Sequence, residues 1–213
     1  MAKSARPLRI GILVIVAFAA GLILARMLAT ERATPPETER ATILPSPRAL
    51  PSLDLVTQDG RTIPTDFFAG HWTLVFFGFT RCPDVCPTTL ATLAQAVRQL
   101  DDLPAPDRPR VLLVSVDPER DTPELLATYV RFFDPAFLAA TGTPDAIATA
   151  ATAFGVPYAK VDLPEGGYTL DHGSGLFVVG PHGDIAAFLS APHEAGMIAR
   201  DFRRIVKWVE PRS

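Results

Sequence analysis

Only two of the 213 residues are cysteine, Cys82 and Cys86, so the chain has no disulfide framework and a single pair of thiols at most. Basic residues are not in excess either. Against 23 Asp and Glu there are 20 Lys and Arg, and the resulting net charge of −3 excludes the basic balance of a nucleic-acid binder. No internal repeat is apparent, which excludes a solenoid or propeller. The 21 prolines are many for the length, and they concentrate in one linker and at the entrances to elements.

Long apolar runs are scarce outside the N-terminus. There, Lys3, Arg6 and Arg9 precede an uncharged run of 16 residues, Ile10 to Ala25, closed by Arg26. As a helix that run is ~24 Å long, and extending it to Leu28 with Arg9 and Arg26 snorkelling brings it to about the ~30 Å hydrocarbon thickness. The expected organisation is therefore a cytoplasmic N-terminus at 1–9, a transmembrane anchor at 10–28, a proline-rich tether at 29–48 and one domain at 49–213. Positive charge before the apolar run orients it, sending the tether and the domain across the membrane. The alternative is a cleaved signal peptide, with Ala17-Phe18-Ala19 as the cleavage site, and it exports the same domain.

The domain is organised around TLVFFGFTRCPDVCPTTL, Thr73 to Leu90. Leu74 to Phe79 is nearly continuous in apolar residues, as expected of a strand covered on both faces. A polar turn with two prolines comes next, and then Leu90, Leu93, Ala94, Val97 and Leu100 recur at helical spacing. Both thiols thus fall at a strand-to-helix junction, where unpaired amides and the helix dipole favour a reactive thiolate. Positions i and i+4 of a helical turn face one way, so the sulfurs of Cys-Pro-Asp-Val-Cys are able to share a metal or form a disulfide. A purely structural disulfide closing so short a loop gains only ~2 kcal/mol in the chain-entropy model, so chemistry is the better reason for the pair.

Further along, Leu53, Leu55 and Val56 read as a short strand, and Arg110 to Asp117 as a second buried one. Asp121 or Thr122 caps the next helix, with Pro123 in its first turn, and Thr143-Pro144-Asp145 opens another that runs to about Phe154. A strand near Val156 to Val161, a Gly166-Gly167 turn, strands at Gly175 to Val179 and Ile185 to Leu189, and a helix from about Glu194 to Val209 complete the chain. This alternation predicts an α/β, thioredoxin-like three-layer fold.

The four histidines differ in setting. His71, His182 and His193 fall in turns or near a helix start and read as surface. His172 lies in Asp171-His172-Gly173 before an apolar strand, where a loop has the means to return over the cysteine turn. Two thiolates and an imidazole make a soft site that suits Cu(I) or, with added oxygen or nitrogen donors, Cu(II); zinc also accepts these ligands.

Three blocks, FFGFTRCPDVCPTTL at Phe76 to Leu90, SVDPERDTPE at Ser115 to Glu124 and DHGSGLFVVGPHG at Asp171 to Gly183, together resemble the SCO/SenC family. The resemblance implies a thioredoxin fold and a single-pass anchor in the inner membrane with the domain facing the periplasm, or the intermembrane space if mitochondrial. It further implies delivery of copper to the binuclear site of cytochrome c oxidase. Carried over by position, Cys82, Cys86 and His172 become the copper ligands, with Asp84, Asp117 and Asp171 in supporting or capping roles. The implied partners are the copper-bearing subunit of the oxidase and, upstream, another periplasmic copper carrier. Gly173 and Phe177 depart from the family's usual hydroxyl residue and tyrosine.

A second function is a thiol-disulfide oxidoreductase, in which Cys82 and Cys86 are the catalytic redox pair and His172 only assists. A peroxide-reducing enzyme would call on Thr80 and Arg81 beside a reactive cysteine but gives His172 no part. A redox sensor lacks a visible output module.

Overall fold

In the computed structural model the described residues are 15, 17–21 and 35–209. They fall in two compact units, residues 1–34 and residues 35–213. Of the first, residues 15 and 17–21 are helical and exposed, and the rest of the expected anchor at 10–28 lies outside the described residues. Among the described residues no helix is long and apolar enough to cross a membrane.

The second unit contains nine strands and four α-helices among its described residues. In chain order they are β1 (Ala41–Ala49), β2 (Leu55–Thr57), β3 (Thr73–Gly78), α1 (Val85–Arg98), β4 (Arg110–Ser115), α2 (Pro123–Phe133) and β5 (Leu138–Gly142). Then come α3 (Pro144–Phe154), β6 (Tyr158–Asp162), β7 (Tyr168–His172), β8 (Leu176–Val179), β9 (Asp184–Leu189) and α4 (Ala195–Val209). Seven strands form one sheet in the order β1-β9-β8-β3-β4-β5-β2, and β6 pairs β7 in a separate two-stranded sheet. The centre, β3-β4-β5, is parallel, whereas β8 runs antiparallel to β3.

The near-continuous apolar run of β3 has its cause in this arrangement. Every residue from Thr73 to Gly78 is buried, because both faces of the sheet are covered. On one face the Phe77 ring meets Phe154 of α3 and Phe177 of β8. On the other, Trp72 meets Phe202 of α4, and Gly78 lies beneath Cys86 of α1. These contacts make the three layers expected from the alternation of strands and helices.

Helix starts obey their local chemistry. Thr122 accepts a hydrogen bond from the Leu125 amide at 3.3 Å and Thr143 from the Ala146 amide at 3.2 Å, each with proline as the next residue. Of the two capping candidates at α2, Thr122 takes the role and Asp121 is used elsewhere.

The expected tether is shorter than 29–48, since Ala41–Ala49 is a strand paired antiparallel with β9. Its two prolines, Pro45 and Pro47, are tolerated because β1 is an edge strand and its register shifts between Ile43 and Arg48. The approach to β1 is pinned by the buried Asp201 of α4. Its carboxylate accepts the amides of Glu39, Arg40 and Ala41 at 2.8–2.9 Å and the Arg204 guanidinium at 2.9 Å.

Candidate metal centre

At the end of β3 the chain turns through Phe79 to Asp84 before α1 begins at Val85, so Cys82 precedes the helix and Cys86 lies in its first turn. The Cys86 amide, unpaired within the helix, donates to Cys82 Sγ at 3.4 Å, which turns the first sulfur toward the second. The strand-to-helix placement read from the sequence is therefore present. Cys86 is fully buried and Cys82 half-buried. A helix start was expected to favour the thiolate; instead burial, and after it the neighbouring Cys82, pushes the Cys86 thiol up.

His172 is the last residue of β7, and the hairpin carries it back over the cysteine turn. Its Nε2 is 3.4 Å from Cys86 Sγ, and one ligand atom each from Cys82, Cys86 and His172 all lie within 4.8 Å of one another. Its Nδ1 is 3.1 Å from the Gly173 carbonyl oxygen. A carbonyl only accepts, so Nδ1 carries the proton and the lone pair of Nε2 faces the sulfurs. Burial also lowers the His172 pKa, which keeps the imidazole neutral. The ring stands edge-on to Phe76 and Phe79, with centroids 6.0 and 5.8 Å away.

The departures from the family pattern are thereby given a structural sense. Gly173 holds the imidazole through its backbone carbonyl and needs no side chain for it. Phe177 packs into a cluster with Phe77, Phe154 and Phe188.

Supporting residues sort less evenly. Asp84 is exposed at the N-cap of α1 and makes no side-chain cap bond, and Asp171 is exposed on β7. Asp117 is buried, with its carboxylate 2.6 Å from Arg120 Nε and 2.7 Å from the Tyr168 hydroxyl. Arg81 is exposed, while the Thr80 hydroxyl donates to Asp121 rather than to a sulfur.

Sequence reasoning missed His193. It is half-buried, its Nε2 donates to the Ser174 carbonyl at 2.7 Å, and it lines the same open cavity of about 520 Å³ as Cys82 and His172. Its place beside a helix start suggested surface, and only the return of the chain after β9 brings it to the cavity. Tyr168 was missed too, although the alternation Tyr168-Thr169-Leu170-Asp171-His172 marks a strand.

The donor set of two sulfurs and one imidazole fits a soft metal ion with room for a further ligand from the cavity. The family model described as SCO1/SenC matches residues 44–207. The human mitochondrial protein SCO1 homolog is 34% identical over 170 residues, covering 79% of this chain and 56% of the human protein. This chain thus spans about half the length of the mammalian mitochondrial relatives it matches. Among solved structures, that of Arabidopsis thaliana ScoI with copper bound superposes with a TM-score of 0.70 at 29% identity, over 74% of this chain and 98% of that one. The structure of Bradyrhizobium japonicum ScoI with copper bound gives 0.65 at 32% identity, over 74% and 99%. The same thioredoxin-like α/β fold, the family match across most of the domain and the three blocks in order lead to one conclusion: the chain belongs to the SCO1/SenC family.

Proposed function

We propose that this chain binds copper through Cys82, Cys86 and His172 and delivers it to the binuclear copper site of cytochrome c oxidase during assembly. In this reading residues 10–28 anchor the chain in the inner membrane as a single pass, and the domain faces the periplasm, or the intermembrane space in a mitochondrion. The observation that carries the proposal is the convergence of three soft donor atoms within 4.8 Å, with the Nε2 lone pair turned toward the sulfurs. The Arabidopsis and Bradyrhizobium relatives carry copper in their solved structures.

Copper is here the cargo. Each thiol gives up its proton on coordination, so uptake releases protons, and the buried Cys86 gains most from being paired with a cation. The half-buried Cys82 faces the open cavity, and an incoming thiolate from a partner is able to replace it first. Such stepwise exchange of ligands moves the ion without setting it free in water.

Copper titration of the full-length reduced chain against a competing chelator tests the site. One ion per chain, with binding lost in Cys82→Ser, Cys86→Ser and His172→Ala, is the expected result. Weak binding that ignores His172 would overturn it.

The unequal burial of the thiols supports the second reading, a thiol-disulfide oxidoreductase. Cys82 attacks a disulfide of the target and releases one target thiolate; Cys86 then attacks Cys82 Sγ and releases the other. Two electrons pass to the target, and the pair ends as a disulfide. A disulfide-reduction assay that needs both cysteines and is indifferent to His172→Ala is the result that favours it.

A further inference from the structure

Among the described residues the hairpin that bears His172 has no ladder into the seven-stranded sheet, because β6 and β7 pair only with each other. Something other than sheet hydrogen bonding has to hold it over the cysteines. Four residues before His172, Tyr168 is gripped by the loop after β4. Its hydroxyl donates to Asp117 Oδ1 at 2.7 Å, and its carbonyl oxygen accepts from Arg120 Nη1 at 2.9 Å. The Arg120 guanidinium carbon lies 3.7 Å from the Tyr168 ring centroid, and Lys160 Nζ of β6 also lies 3.7 Å from it. Arg120 Nε is fixed in turn by Asp117 Oδ2 at 2.6 Å.

The same loop also holds the cysteine side of the site. The Asp117 amide donates to Ser115 Oγ at 3.0 Å, and the Ser115 hydroxyl donates to Asp121 Oδ2 at 2.6 Å. Asp121 takes both the amide and the hydroxyl of Thr80, two residues before Cys82. One loop, Ser115 to Asp121, therefore sets the hairpin and the cysteine turn against each other.

We propose that Tyr168 is a positioning residue for the metal centre: latched to Asp117 and Arg120, it holds β7 down so that His172 stands over Cys86, and its release lets the hairpin lift His172 away. The inference rests on the copper reading of Cys82, Cys86 and His172. Partners that orient a ligand from outside the coordination sphere commonly change metal affinity by about 10- to 100-fold.

The test uses the full-length chain with isotope-labelled histidine, in its metal-free and copper-titrated forms, as wild type, Tyr168→Ala, Tyr168→Phe and Arg120→Gln. Ring currents from Phe76 and Phe79 displace the His172 ring protons in the metal-free chain. In Tyr168→Ala and Arg120→Gln that displacement is expected to collapse while the far-UV circular dichroism spectrum stays that of the folded domain, and copper Kd is expected to rise about tenfold. Tyr168→Phe keeps the ring between its cations but loses the bond to Asp117, and is expected to recover part of both signals. Unchanged His172 shifts in both disruptive variants overturn the proposal, and so does a loss of affinity without a change in the shifts. Should the wild-type chain bind no copper, the copper reading fails, while the metal-free shifts still decide whether Tyr168 holds the hairpin. If Tyr168→Ala does not fold, Arg120→Gln carries the same two readouts.

Discussion

The hydroxyl of Thr80 donates to Oδ1 of Asp121 across 2.6 Å, and the Thr80 amide donates to Oδ2 of the same carboxylate at 3.0 Å. With Ser115 Oγ as a third donor, Asp121 ties the ends of β3 and β4 together at the mouth of the cysteine turn. The aspartate is only 1% exposed, so these bonds are made in an environment where an unpaired charge is costly.

Replacing this carboxylate tests that tie. Asp121→Ala leaves the Ser115 hydroxyl and the Thr80 amide without their acceptor and is expected to destabilise the domain by about 2–4 kcal/mol. Urea unfolding measures it. A loss below about 0.5 kcal/mol would mean that water replaces the carboxylate at no cost.

Gly78 tests the approach of Cys86 to the sheet. A Cβ at Gly78 would meet Cys86 Sγ at 2.9 Å and Phe76 Cε1 at 3.0 Å. Since the sulfur is buried and the ring is packed, Gly78→Ala should cost about 1–3 kcal/mol and push Cys86 toward the cavity. The chelator titration should then show weakened copper binding. An alanine variant with native stability and affinity would contradict the close packing.

Asp201 provides a pH-dependent contribution to stability. Burial raises its pKa, but the amides of Arg40, Glu39 and Ala41 and the Arg204 guanidinium outweigh burial and hold the carboxyl below its ordinary value. A folded pKa below the unfolded one gives stability that is complete above the unfolded value of about 3.9 and is lost as pH falls through the folded value. Asp201→Asn, which leaves at least one of these amides and the Arg204 guanidinium without an anionic acceptor, should cost about 1–3 kcal/mol at pH 7, and the gap to wild type should narrow as the pH falls below about 4. Thermal unfolding across that range measures it, and a gap constant with pH would refute the assignment. A soluble domain has to begin before Glu39, or these amides are lost.

His193 stands in the cavity but outside the trio of ligand atoms. His193→Ala should leave copper stoichiometry unchanged and cost about 1 kcal/mol through the lost bond to the Ser174 carbonyl. A loss of stoichiometric binding would make it a fourth ligand.

The strands legible in the sequence were β3, β4, β8 and β9, where burial on both faces leaves continuous apolar runs, together with β2 and β6, which the sequence placed within about two residues of their ends. The strand β5, LAATG, escaped notice because small residues suffice where it is packed against β4 and α2. The prolines of β1 hid a strand that only its place at the sheet edge permits. For the site, Cys82 and Cys86 were legible from their closeness in sequence, although Cys82 lies before the helix and it is the Cys86 amide, not a shared helical face, that turns its sulfur inward.

His172 stood apart only through its motif, because 86 positions separate it from Cys86 and no local rule spans that distance. Local pattern was enough for the three-layer architecture, the helix caps and the pairing of the thiols, all of which rest on hydrogen bonds and periodicities within a few residues. Long-range packing had to settle that the hairpin returns over the cysteines, that Asp121 and Asp117 hold the two sides of the site, and that burial pushes the Cys86 thiol up. Those outcomes depend on desolvation and on partners distant in the chain, which exist only once the core has closed.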